Sequence, residues 1–255
     1  MSEDPILNHW NQRAALAEKS GSDDVIAKEI ETNAISNHIR DGMVVAEFGC
    51  GNAATAVNLR ARHDIELYCF DFSPAMIELA KARVEQAGMT KHIHLEVCDI
   101  RKEPKQPLNF DAIYTERMII NLPDWNTQAN AIRYLTRNLK SGGTYLMCEN
   151  SANGLDELNA LRASVGLEPI APPWHNLYLI DELVASLESP EAELVDVEMF
   201  SATYYFLSRV VNASLAAREG KSPSYDAPVN SLALRLPPMG QCAQGKLWVF
   251  RKIHA

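Results

Sequence analysis

The run Val44-Val45-Ala46-Glu47-Phe48-Gly49-Cys50-Gly51-Asn52-Ala53-Ala54 constrains this 255-residue chain more than any other stretch. An apolar strand ends beside an acid and turns through two glycines into a helix. Glycines at such a turn leave no Cβ in the way, so a ligand can lie against the backbone. The unpaired amides at the start of the next helix then face polar or anionic groups. A chain built around this element alternates strands and helices around an open sheet, with the ligand at the strand ends.

Two cofactor classes use such a turn, the dinucleotides and S-adenosylmethionine. Gly49-x-Gly51-x-x-Ala54 fits the dinucleotide fingerprint, with Asp71 about 20 residues on where a ribose-binding acid belongs. Glu47 separates the two. An acid at the turn repels a pyrophosphate and suits a cation, and S-adenosylmethionine carries a sulfonium and an ammonium and no phosphate. Glu47-x-Gly49-x-Gly51 resembles the first motif of the class I S-adenosylmethionine-dependent methyltransferases, over residues 40–150. The family often has a third glycine where this chain has Ala53. The resemblance implies S-adenosylmethionine as cofactor, held by Glu47, Gly49, Gly51 and the strand-end residues that follow.

Size and charge narrow the function further. With 255 residues and 47% hydrophobic content, the chain can bury a full core. Its net charge of −9 gives no general attraction to a phosphate backbone, which speaks against a nucleic-acid partner. No apolar run reaches the 18 residues or so of a membrane span, and Met1-Ser2-Glu3-Asp4-Pro5 lacks the basic and apolar regions of a signal peptide, so a cytoplasmic protein is expected. The five cysteines have no metal-ligand spacing; those at 50, 69, 98 and 148 lie in or beside strands, where thiols serve as small apolar filler. No metal is expected, and the oligomeric state is not legible.

Periodicity predicts strands at 43–48, 65–71, 92–98, 110–115 and 143–149, with helices over 53–62, 74–88 and 124–140 between them. Ser73-Pro74 reads as a helix start, and Gly142-Gly143 as the stop of the third helix. Beyond these come helices near 154–165 and 180–188, strands near 194–200 and 246–252, and a helical stretch from 204 to 217. The expected fold is α/β, a doubly wound, seven-stranded, mostly parallel, Rossmann-like sheet with an N-terminal helical cap and a C-terminal cap insertion. Read as one domain over 1–255, it divides into the cap (1–40), a cofactor-binding core (41–150) and a substrate-side half (151–255) with insertions at about 168–190 and 203–243.

The strand ends nominate the chemistry. Asp71 can accept both ribose hydroxyls, and Phe72 can pack on the adenine. By the family resemblance, Asp99 receives the adenine amino group and the Ile100 amide meets a ring nitrogen. Thr115, Glu116 and Arg117 follow the fourth strand, where ligands collect. Thr115 is expected at the cofactor; Glu116 and Arg117 either reach the substrate or pair with each other. Methyltransferases of nucleobase amines commonly carry an Asp/Asn-Pro-Pro-Tyr type of motif here, and this chain does not.

Trp174-His175-Asn176 follows a stiff proline stretch. His175 is either a surface histidine or the base that takes a hydroxyl proton, with Glu116 the second candidate. Tyr205 and Arg209, at i and i+4, share a helix face that suits a carboxylate or phosphate on the substrate, and Trp174 joins them as a candidate contact. Glu29-x-x-x-x-Ala34-Ile35, Trp174-His175-Asn176-Leu177 and Tyr204-Tyr205…Arg209 resemble methyltransferases associated with bacterial surface-glycan biosynthesis. The reading is methyl transfer to an oxygen or nitrogen of a small molecule, a sugar or glycan precursor among the options, with no membrane partner. Methyltransferases of protein or nucleic acid, a nicotinamide-dependent oxidoreductase and a non-catalytic cofactor-binding subunit are the alternatives.

Overall fold

In the computed structural model, residues 4–102 and 109–253 are described; Met1, Ser2 and Glu3 of the expected leaderless start fall outside them. The strands are β1 (Val44–Phe48), β2 (Glu66–Asp71), β3 (Ile93–Val97), β4 (Phe110–Glu116), β5 (Leu139–Asn150), β6 (Ala192–Glu198) and β7 (Gly245–Lys252). They form one seven-stranded sheet in the order β3-β2-β1-β4-β5-β7-β6. β3 through β5 pair in parallel, and β7 runs antiparallel between β5 and β6. The order reverses between β1 and β4. A crevice opens there at the carboxyl ends of the strands.

Period-two alternation builds the two layers. Val45, Leu67, Tyr114, Leu146 and Val249 point to one face, where they meet Ile35, Leu59 and Ile77 from helices α2 (Val25–Ser36), α3 (Ala54–Arg62) and α4 (Pro74–Gln86). Ala46, Ile113, Tyr145, Met147 and Trp248 point to the other, against Ile132 and Leu135 of α5 (Trp125–Arg137). The preceding helix α1 (Pro5–Arg13) buries no residue. After β5 come α6 (Ala152–Ser164), α7 (Asp181–Ala185) and a helical run over 202–218 whose middle turn is π-helical.

Side-chain caps set the boundaries. Ser73 accepts from the Met76 amide at 3.1 Å with Pro74 in the first turn, and Asp24 accepts from the Ala27 amide at 3.1 Å to start α2. Gly142 and Gly143 do not stop α5. Asn138 ends it, and both glycines lie inside β5, where its register against β4 jumps from Phe110↔Leu139 to Ala112↔Thr144. A Cβ on Gly143 would come within 2.9 Å of the Lys140 carbonyl oxygen, so only glycine fits the bulge. No described helix is long and apolar enough to cross a membrane.

Candidate active site

The glycine turn is fixed from both sides. The Gly49 and Cys50 amides donate to the Phe70 carbonyl at 2.7 and 3.0 Å, and the Gly51 amide donates to Asp71 Oδ2 at 2.8 Å. Gly49 and Gly51 have φ of +80° and +51°. A Cβ on Gly49 would lie 2.4 Å from Met118 Cγ, whereas nothing stands within 4 Å of that position on Gly51, leaving the backbone open to a ligand. Ala53 starts α3 at φ +56°, the left-handed region a glycine takes at less cost.

This turn walls a cavity of about 410 Å³, within the size range of small-molecule sites. Its lining includes Glu47, Gly49, Gly51, Asp71 and Phe72 together with Lys28, Glu116, Arg117, His175 and Asn176. A narrower slot adjoins it, sharing Gly49, Phe72, Met118 and Asn121 and adding Phe48, Asp99 and Ile100. Ten of the residues nominated from the sequence line these two cavities.

Burial dominates the acids on the glycine side. It pushes the Glu47 carboxyl up to about 8, reinforced by the Glu116 charge and opposed by Lys28 and by the Tyr114 hydroxyl, which donates to Glu47 Oε2 at 2.8 Å. Burial likewise raises Asp71 to about 6, against two backbone donors, Ser73 and Gly51. A carboxyl so perched ionises when a cation enters. Asp71 keeps lone pairs beyond its two amide bonds, so it can hold the turn and still accept from a ribose. Asp99 is bound through both oxygens by Arg101, at 2.8 and 2.9 Å; burial would raise it, but Arg101 prevails and holds it below the usual carboxylate range.

Several nominated residues are elsewhere. Thr115 is fully buried beneath the sheet end, within 3.0 Å of the Tyr145 hydroxyl, and lines neither cavity; the strand pleat turns it away from the cofactor side. Glu116 faces the cavity with both carboxylate oxygens engaged. Lys28 Nζ sits 2.6 Å from Oε1 and the Thr55 hydroxyl 2.6 Å from Oε2. Burial alone would raise its carboxyl, yet Lys28 and Arg117 prevail and hold it down to about 2. Trp174 is 68% exposed and touches His9 and His175 only edge-on, outside the cavity wall. Tyr205 and Arg209 do share a face, with the guanidinium 5.4 Å from the ring centroid, but Arg209 is spent on Asp24 at 3.2 Å and on Tyr225, and it is Tyr225 that lines the cavity.

His175 stacks on His9 at 4.4 Å with Trp10 edge-on at 5.7 Å, and its buried Nδ1 has no hydrogen-bond partner. Burial, with His9 and Arg13 nearby, lowers it to about 4, so the ring is neutral around pH 7. Sequence reasoning missed Lys28, Glu31 and Glu149. Glu149 ends β5 and accepts the Met118 and Ile119 amides at 3.0 Å each, fixing the turn after β4. An acid closing an apolar strand, as at Glu47 and Glu116, was the signal available for it.

Residues 45–143 match a family described as "Methyltransferase domain". The match covers less than half of the chain and takes in the glycine turn, Asp71 and Asp99. The chain is also similar to 27-O-demethylrifamycin SV methyltransferase of Amycolatopsis mediterranei, 26% identical over 106 residues, 41% of this chain and 38% of that protein. Against demethylmenaquinone methyltransferase of Leptospira interrogans, identity is 28% over 123 residues, 48% of this chain and 46% of that one. The matched stretch therefore spans less than half of either relative. Among solved structures, N-methyltransferase NodS of Bradyrhizobium japonicum, in complex with S-adenosyl-l-homocysteine, superposes with a TM-score of 0.58 over 99% of this chain and 100% of that chain, at 14% identity. The likeness is one of fold. The matched stretch of this chain contributes the glycine turn, Glu47, Asp71 and Asp99. The residues beyond it contribute His175, Asn176 and Tyr225.

Proposed function

We propose that this chain transfers a methyl group from S-adenosylmethionine to an oxygen or nitrogen of a small molecule. The observation that carries the reading is one cavity lined by the Glu47 glycine turn and Asp71 together with His175 and Asn176. When bound, the cofactor would supply a methyl group on an electrophilic sulfonium, the acceptor atom bonding to that carbon as its bond to sulfur breaks and S-adenosylhomocysteine leaves. The protein's part is alignment and exclusion of water. Glu47 answers the cofactor's positive charge, Asp71 takes the ribose, and Phe72 with Ile100 walls the slot for the adenine. His175, neutral with Nδ1 unengaged, is the group that accepts a hydroxyl proton from the acceptor. The names of the two relatives, each the methyltransferase of a small molecule, support this acceptor class. A sugar or glycan precursor is the finer reading, supported by the resemblance over Trp174-His175-Asn176-Leu177 and Tyr204-Tyr205…Arg209. The net charge of −9 favours a partner other than nucleic acid.

The test follows a radiolabelled methyl group from S-adenosylmethionine into a fractionated cell extract, with Asp71→Asn as control. Label in small metabolites, reduced in the variant, is the expected result. Label in protein or nucleic acid overturns the acceptor class, and no binding of S-adenosylhomocysteine overturns the activity.

A further inference from the structure

Most cations at the site are spent. Lys28 is bonded to Glu116, Arg101 to Asp99 and Asp4, Arg209 to Asp24, and Arg13 Nε to the Ser20 carbonyl. Arg117 differs. Its guanidinium makes no hydrogen bond to any described residue, and its buried Nε has no partner. The nearest carboxylate oxygens are Glu31 Oε2 at 3.4 Å and Glu116 Oε1 at 3.6 Å. Glu116 already accepts through both oxygens, from Lys28 and Thr55. Glu31 Oε2 is itself buried and unbonded. Burial, opposed by Arg117 and reinforced by Glu116, pushes the Glu31 carboxyl up to about 8, so near neutrality the ionised carboxylate beside the guanidinium is Glu116, which Lys28 holds more closely.

The backbone at this residue is as unusual as its side chain. Arg117 has φ +55°, a left-handed conformation that bulky residues seldom take outside functional sites. Its neighbours hold it there. Its amide donates to the Cys148 carbonyl at 2.9 Å, its carbonyl accepts from Asn121 Nδ2 at 2.7 Å, and Glu149 clamps the next amides. A rigid main chain therefore presents a guanidinium with unused donors to the cavity that His175, Asn176 and Tyr225 also line.

We propose that Arg117 is the anchor for a carboxylate on the methyl acceptor, which makes the acceptor a small organic acid. The proposal rests on the methyl-transfer reading of this cavity. The planar guanidinium fork matches a carboxylate with two parallel hydrogen bonds. A phosphate, at nearly twice the charge, meets among the described residues this one cation with unused donors, on a wall that also carries Asp23, Glu47, Asp71 and Glu116. The cofactor has a carboxylate of its own, and the test separates the two sources.

Benzoate and inorganic phosphate are titrated calorimetrically into the wild-type protein saturated with S-adenosylhomocysteine, and into Arg117→Met and Arg117→Lys. The wild type is expected to bind benzoate in preference to phosphate. Arg117→Met should weaken benzoate at least about tenfold and Arg117→Lys less, with S-adenosylhomocysteine affinity within about threefold of wild type. Loss of S-adenosylhomocysteine affinity in Arg117→Met, with binding of 5′-methylthioadenosine retained, would assign the guanidinium to the cofactor's carboxylate and overturn the proposal. So would a wild type that ignores benzoate or prefers phosphate. If Arg117→Met does not fold, Glu31→Gln decides, because it removes the competing carboxylate and keeps the guanidinium. Benzoate should then bind at least about threefold tighter than to wild type at pH 8.5, and an unchanged affinity overturns the proposal. Failure of the methyl-transfer reading shows separately, as no binding of S-adenosylhomocysteine to the wild type. Benzoate binding that still requires Arg117 would then uphold the carboxylate site by itself.

Discussion

Glu47 and His175 are both displaced from their ordinary titration ranges, in ways that make opposite demands on pH. Glu47 is raised to about 8 and Asp71 to about 6, chiefly by burial. Between the unfolded carboxylate range and these values the two folded carboxyls hold protons that the unfolded chain releases, so the stability they contribute falls as pH rises from about 5 to 8. Glu47→Gln should flatten part of that slope, as measured by thermal unfolding at pH 6 and pH 8; an unchanged slope would show that Glu47 is ionised throughout. His175 is lowered to about 4, so its accepting form persists through neutrality and is lost only as pH falls toward that value. With a hydroxyl acceptor, turnover should not change with His175 ionisation between pH 6 and 8, and His175→Gln should lower kcat by about 10²-fold or more. A variant with full kcat would remove the histidine from the chemistry. The glycine-turn residues were legible because one local pattern carries them. Lys28 and Glu31 were not, since they reach Glu116 and Arg117 from a helix far away in sequence, and spacing holds no trace of that meeting.

At the scale of elements, the chain spells its helix starts more clearly than its strand irregularities. Ser73 before Pro74 caps α4 as read, because the cap interaction is local. Gly142-Gly143 misled because a glycine pair after a helix has the same appearance whether it stops the helix or bulges the next strand. Only the carbonyls of Phe110 and Asp111 on the neighbouring strand distinguish the two. Gly154 in α6 is the sharpest case of a glycine whose reason lies in another element. A Cβ there would stand 2.0 Å from the Ala243 carbonyl oxygen and 2.7 Å from its carbon, atoms of the backbone entering β7. Alanine normally favours a helix over glycine by about 1 kcal/mol. Here the sign reverses: overpacking against backbone typically costs about 1–3 kcal/mol, so Gly154→Ala should lower stability by about 2 kcal/mol in urea unfolding. A gain would mean that α6 slides away from β7 without penalty.

At the scale of the whole molecule, the sheet order follows from alternating strands and helices, whereas the way the N-terminal segment lies across the crevice does not. α1 buries no residue and is held mainly by polar and edge contacts. Trp10 Nε1 donates to Asn121 at 3.1 Å, the Ser73 hydroxyl to Asn11 at 2.6 Å and Arg101 to Asp4 at 2.7 Å, while His9 stacks on His175. A pattern of apolar spacing cannot announce such an element, since polar partners spread over the chain determine its place. Few buried apolar contacts also mean a low free energy of local opening. Yet His9, Trp10 and Arg13 line the cavity, so any occupant gains contacts only when α1 is in place. In the ligand-free protein, amides of residues 9–13 should therefore exchange with deuterium far faster than those of β1 and β4. S-adenosylhomocysteine should slow them at least about tenfold while changing the central strands less, because binding adds free energy to the closed form of the element it touches. Equal protection of α1 and the sheet before ligand is added would show that the segment is part of the rigid core. Ligand that leaves α1 exchange unchanged would show that this wall of the cavity takes no share in binding the cofactor.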